Sequence, residues 1–188
     1  MQTIVATDGA SKGNRVGARC GWACYFPNDE SRSVSGMIES GSNNVGELFA
    51  IQKALELTQD EETTIYVDSM YAMKCSDGTW TPKWKSAGWK TAKGTPVKNI
   101  EIIQEIDNLM QNRTAPVKFI HVYGHQTDDS FPSRINRKAD EMASIACGGN
   151  EVNEGNKMTE KDTKDSLEKR KMQLLKELGE IEMKLSNM

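Results

Sequence analysis

The spacing of apolar and polar positions divides the first 148 residues into short β-favouring runs and longer helical stripes. Residues 3–7 (TIVAT) are a short β-favouring run that meets Asp8-Gly9, a turn signal, so a first strand is expected to stop there. Residues 19–26 (RCGWACYF) and 32–39 (RSVSGMIE) read as two more strands joined by Pro27-Asn28-Asp29, an antiparallel meander. Asn43 and Asn44 precede a helical stretch over 47–58, where Leu48, Ile51 and Leu55 recur at i, i+3 and i+7. The run 63–67 (TTIYV) is a compact strand, and Ser69 is placed to cap a short helix over 70–75. A Trp- and Lys-rich segment follows at 77–94, then a helix over 97–111 with Ile100, Ile103 and Met110 on one stripe. Residues 117–123 form another strand that runs into Gly124-His125. A loop of about ten residues then leads to a helix from Ile135 or Asn136 to Cys147, closed by Gly148-Gly149.

Three strands, a helix, a strand, helices, a strand and a helix predict an α/β fold: a mixed sheet with helices packed on it. Beyond it the composition changes. From Glu151 onward there is no aromatic residue and no valine after Val152, but a dense mixture of nine acids and eight bases. Leu167, Leu174, Ile181 and Met188 recur every seven residues, with Leu178 and Leu185 interleaved and Lys171 as an exception. That is a short heptad pattern. The expected organisation is a domain over 1–148, a polar linker over 149–158 and an amphipathic, coiled-coil-like helix over 159–188. Such a helix suits a homodimer or a helical protein partner as well as docking on the domain.

Charge and cysteines narrow the class. The net charge of −3 argues against bulk electrostatic affinity for nucleic acid, yet totals hide patches. Between Lys74 and Lys98 stand six lysines (Lys74, Lys83, Lys85, Lys90, Lys93 and Lys98) against one acid, Asp77. Cys20, Cys24, Cys75 and Cys147 show no paired zinc spacing. Cys20 and Cys24 on one strand would lie roughly 13 Å apart, too far for a disulfide. Reduced thiols in a cytoplasmic protein are the simplest reading. The start of the chain has no basic region followed by a long apolar run, so neither a secretion signal nor a membrane span is expected.

Candidate chemistry resides in four carboxylates. Asp8 and Asp68 end strands, Glu47 opens the first long helix, and Asp140 lies in the last helix of the domain. Ligands in open α/β sheets bind outside strand ends. Acids gathered there would repel one another unless cations neutralised them. Hard divalent ions suit such oxygen donors, and Mg²⁺ suits a carboxylate-plus-phosphate site best. Singly, each acid could equally be a surface turn or cap residue, and spacing alone does not prove convergence.

The segments T-D-G at 7–9, N-N-x-G-E-L at 43–48, V-D-S at 67–69, G-H at 124–125 and N-R-K-A-D at 136–140 resemble the successive signatures of the ribonuclease H family, in its order and with similar spacing. The stretch GWKTAKGTPVKN at 88–99 is similar to the cellular and bacterial form. The resemblance spans roughly residues 1–148. It implies a ribonuclease H-like mixed five-stranded sheet, strands 1–3 antiparallel and the others parallel, with helices on both faces. It also implies endonucleolytic hydrolysis of the RNA strand of RNA–DNA hybrids by two metal ions, leaving 5′-phosphate and 3′-hydroxyl ends. Carried over by matched position, Asp8, Glu47, Asp68 and Asp140 would hold two Mg²⁺ ions, with Mn²⁺ as a substitute. His125 would transfer protons or escort the product from a loop about five residues longer than usual.

The same resemblance assigns the hybrid contacts. Asn14, Asn43 and Asn44 would read the minor groove, where the 2′-hydroxyl distinguishes RNA from DNA. Ser42 and Asn99 would hold a phosphate of the DNA strand, although Glu39 and Ser40 stand where a basic partner is usual. Trp80, Trp84, Lys83, Lys85 and Lys90 would form a protrusion that grips the DNA strand, with Trp84 or Trp89 partly buried. A resolvase- or transposase-type DNA cutter would keep the same fold, and so would a non-catalytic hybrid clamp. The Trp- and Lys-rich middle segment speaks against the first. Retention of all four acids and the histidine speaks against the second.

Overall fold

A computed structural model of the chain describes residues 2–13, 17–124 and 126–148. Asn14, His125, the 149–158 linker and the 159–188 heptad stretch lie outside the described residues.

Strands β1 (Thr3–Ser11), β2 (Ala18–Tyr25) and β3 (Val34–Gly41) form the expected meander. Helix α1 (Asn43–Leu57), strand β4 (Thr63–Val67), helices α2 (Met70–Ser76), α3 (Thr81–Ser86) and α4 (Ile100–Asn112), strand β5 (Val117–His121) and helix α5 (Phe131–Ala146) follow. The sheet order is β3-β2-β1-β4-β5. The first three strands are antiparallel, and β4 and β5 join in parallel. This is the predicted mixed five-stranded sheet.

Neighbouring residues of a strand point to opposite faces. On β1, Val5 belongs to the large core with Leu48, Ile51 and Leu55 of α1 and Ile103 and Ile106 of α4, whereas Ala6 packs with Ile135 and Ala139 of α5. The central strand is therefore covered on both faces, which is why β1 is buried without interruption from Val5 to Gly9. Two glycines permit the close approach. A β-carbon on Gly9 would press into the Glu47 amide of α1, and one on Gly21 into the Ala143 carbonyl of α5.

Several boundaries differ from the sequence reading. The first strand does not stop at Asp8-Gly9 but continues to Ser11, because the ladder with β2 runs on to Ser11↔Cys20. Gly9 serves helix packing there, not a turn. Helix α1 begins at Asn43, so Glu47 sits in its second turn and both asparagines in its first. Helix α4 begins at Ile100, not Val97, because Asn99 has a left-handed backbone (φ 56°) that a right-handed helix excludes. Strand β5 ends at His121, two residues early.

Helix α5 starts at Phe131, four residues ahead of the expected start, and shortens the predicted ten-residue loop. Pro132 stands in its first turn, where a missing N–H is harmless. The Asp128 carboxylate accepts from the Ser130 amide (2.8 Å) and the Ser133 hydroxyl (2.9 Å). The four cysteines are buried and unpaired, and no described helix is long and apolar enough to cross a membrane.

Candidate active site

The parallel ladder between β1 and β4 ends at Thr7↔Val67. Asp8 and Asp68 are therefore the next residues on adjacent parallel chains, which run about 4.8 Å apart. The Gly9 contact lets α1 lie against this point and brings Glu47 to it. Carboxylate oxygens of Asp8, Glu47 and Asp68 lie within 4.8 Å of one another. Asp140, on α5, borders the same place and lines a cleft of about 450 Å³ with Asp68, Gln126, Thr127, Asn136 and Arg137.

The electrostatics are those of a site built for cations. Asp8 and Glu47 are only 4 % and 3 % exposed. Burial, then the charges of Asp68 and Asp140, push the Asp8 carboxyl up to about 8, against a hydrogen bond with Glu47 and one from the Gly9 amide. Glu47 is driven well above the usual carboxylate range, first by burial and then by Asp8 and Asp68. Its Oε2 is buried without a hydrogen-bond partner. A buried, unpartnered carboxylate oxygen is costly, and a hard divalent ion would satisfy it while neutralising its neighbours. The donor set is all oxygen, and it fits Mg²⁺ or Mn²⁺.

Groups that the sequence reading did not single out hold Asp68. Asn136 Nδ2 donates to Asp68 Oδ2 at 3.2 Å, and a β-carbon on Gly124 would sit 3.0 Å from that oxygen. Asn136 opens the N-R-K-A-D segment, and its i, i+4 spacing to Asp140 was the available signal. Arg137 pins the loop ahead of α5 by donating to the Gln126 (3.1 Å) and Asp128 (2.7 Å) carbonyls.

The expected hybrid contacts fall into two groups. Ser42 caps α1 in an extended conformation without a side-chain capping bond, and Asn43 and Asn44 are exposed one turn ahead of Glu47. Some distance along the chain, Tyr71, Trp80 and Trp84 stack in series, with ring centroids 6.1 and 5.5 Å apart. Asn99 Nδ2 donates to the Tyr71 hydroxyl at 3.1 Å, which ties its left-handed turn to this aromatic row. Trp84 and Trp89 are both half-buried against the core, as expected. Lys83, on α3, and Lys90, just after it, are exposed, whereas Lys85 is engaged by Asp107 at 2.7 Å.

The chain matches the RNase H family over residues 1–148, with the four acids and the glycines that gather them inside the match. It belongs to the ribonuclease H family. A ribonuclease HI of Streptomyces coelicolor is 40 % identical over 150 residues, covering 78 % of this chain and 62 % of that protein. A ribonuclease H of Schizosaccharomyces pombe is 38 % identical over 143 residues, covering 74 % and 51 %. One from Tropheryma whipplei is 35 % identical over 145 residues, covering 76 % and 87 %. The chain thus spans only about half to three fifths of the length of the first two relatives.

Solved structures agree on the ribonuclease H fold. The PFV RNase H domain superposes with a TM-score of 0.64 at 20 % identity, covering 78 % of this chain and 94 % of that one. A foamy viral protease-reverse transcriptase in complex with RNA/DNA hybrid gives 0.63 at 18 % identity, covering 77 % and 20 %. At such identities the likeness speaks for the fold alone.

Proposed function

We propose that this ribonuclease H-family domain cuts the RNA strand of RNA–DNA hybrids endonucleolytically, leaving 5′-phosphate and 3′-hydroxyl ends. The observation that carries the reading is the meeting of Asp8, Glu47 and Asp68 at the end of the β1–β4 ladder, with a buried Glu47 oxygen left unpartnered. Asp8, Glu47, Asp68 and Asp140 would hold two Mg²⁺ ions. When bound, such ions supply an activated water and charge neutralisation at the departing oxygen of a phosphodiester. The protein's own part is to hold four carboxylates in place and to keep Asp8 and Glu47 away from bulk water.

Asn43 and Asn44, exposed ahead of Glu47, are placed for minor-groove contacts to the RNA strand, where 2′-hydroxyls are displayed. The protrusion with Lys83 and Lys90 is suited to phosphates of the DNA strand. His125 takes the proton-transfer role that the G-H motif suggests.

The test is incubation with Mg²⁺ and matched hybrid, duplex RNA and duplex DNA, with Asp68→Asn as the control. Cleavage confined to the RNA of the hybrid and lost in Asp68→Asn is expected. Cleavage of duplex DNA would sink the reading and favour a DNA-cutting relative of the same fold.

A further inference from the structure

Asp68 stands between two regular elements. The last main-chain bond of the β4–β5 edge is donated by the Val122 amide to the Val67 carbonyl (2.9 Å), and α2 begins only at Met70, after its Ser69 cap. The Asp68 carbonyl therefore lies one step beyond the ladder, where no strand amide reaches it. A side chain takes that place. His121, paired with Val67 at the end of β5, puts its Nε2 3.1 Å from the Asp68 carbonyl oxygen. A carbonyl only accepts, so Nε2 is the nitrogen that carries the proton in this bond.

The imidazole is itself held. Tyr123, 74 % exposed, stands edge-on to it with ring centroids 5.2 Å apart at 83°. His121 also lines a pocket of about 270 Å³ together with Gln126, Ser130 and Pro132. Asp68 is consequently fixed at both ends, main chain by His121 and carboxylate by Asn136, while Gly124 leaves room beside Oδ2.

We propose that His121 is a positioning residue for the metal centre, locking the Asp68 backbone so that its carboxylate meets Asp8 and Glu47 at a fixed distance. The inference rests on the metal-dependent reading above. Partners one shell out from a metal ligand typically carry about 10–100-fold in metal affinity or activity. Glutamine places an amide N–H where the imidazole Nε2–H stands and can restore the bond; alanine cannot.

The experiment compares wild type, His121→Ala and His121→Gln in three measurements. These are melting of the metal-free protein, the Mg²⁺ concentration at the midpoint of the metal-induced thermal shift, and kcat and KM on a hybrid. Expected for His121→Ala are a Mg²⁺ midpoint and a kcat each worse by about tenfold, with KM nearly unchanged and metal-free melting close to wild type. His121→Gln should recover most of both losses. Unchanged midpoint and kcat in His121→Ala would overturn the proposal, and so would glutamine failing to rescue at equal melting temperature. Loss that merely tracks a lower metal-free melting temperature would also overturn it. Should wild type shift with Mg²⁺ yet leave hybrids uncut, the midpoint still tests His121 and only the substrate reading fails. A wild type that shows no Mg²⁺ shift removes the metal centre and this inference with it.

Discussion

Asp8 shows how far a single residue can be pushed by its position. Its carboxyl titrates near 8 in the folded chain, against an ordinary value of 3.8. The folded state therefore binds this proton more tightly than the unfolded chain does. The cost of ionising Asp8 begins as pH rises past the ordinary value and is complete only above about 8. Asp8→Asn removes that cost. Melting of the metal-free protein should rise in this variant, by more at pH 8 than at pH 5, while hybrid cleavage is lost. With Mg²⁺ the order should invert, because wild type gains stability from the ion and the variant gains little. A variant that melts below wild type at pH 8 without metal would count against the electrostatic account. The four acids were legible in the sequence because each sits in a short ordered motif. The bonds of Asn136 and His121 to Asp68 were not, because they depend on a partner 68 and 53 positions away along the chain.

At the level of elements, hydrophobic spacing recovered the type and order of nearly every strand and long helix, and β4 to the residue. The misses have identifiable physics. Asp8-Gly9 carries turn chemistry, yet Gly9 was selected by the closeness of α1, a tertiary demand that local propensity does not register. Gly9→Ala should cost about 1–3 kcal/mol, as overpacking does, and lower the melting temperature by several degrees, with cleavage falling because Glu47 is displaced. Pro132 carries loop chemistry, yet it stands in the first turn of α5. The α3 protrusion yields a different kind of prediction. Lys85 is paired with Asp107, so the prediction is centred on Lys83 and Lys90, both exposed. Replacing both with alanine should raise KM for the hybrid severalfold and flatten its salt dependence, with kcat little changed. A large fall in kcat at constant KM would remove the protrusion from substrate binding.

On the scale of the whole molecule, the site belongs to no single element: it exists because β1 and β4 run parallel at the centre of the sheet, with α1 and α5 on opposite faces. That topology was inferable from element order, whereas the distances between acids were not, since they depend on strand register and on two glycine contacts. The heptad stretch over 159–188 makes a separate prediction at this scale. Its heptad pattern suits a homodimer, a helical partner or docking on the domain, and sedimentation of the chain with and without those residues separates them: a dimer mass lost on truncation supports self-association, and identical monomer masses end the dimer idea. The placement of Asp140 on α5, the last element of the sheet domain, has a further consequence for synthesis. The ribosome releases Asp8, Glu47 and Asp68 long before α5, and until α5 arrives the Ala6 face of the sheet has nothing to cover it. The nascent chain thus emerges without a complete set of acids. Assembly of the acid site therefore waits on the packing of α5 against the Ala6 face, the last step in making the sheet domain.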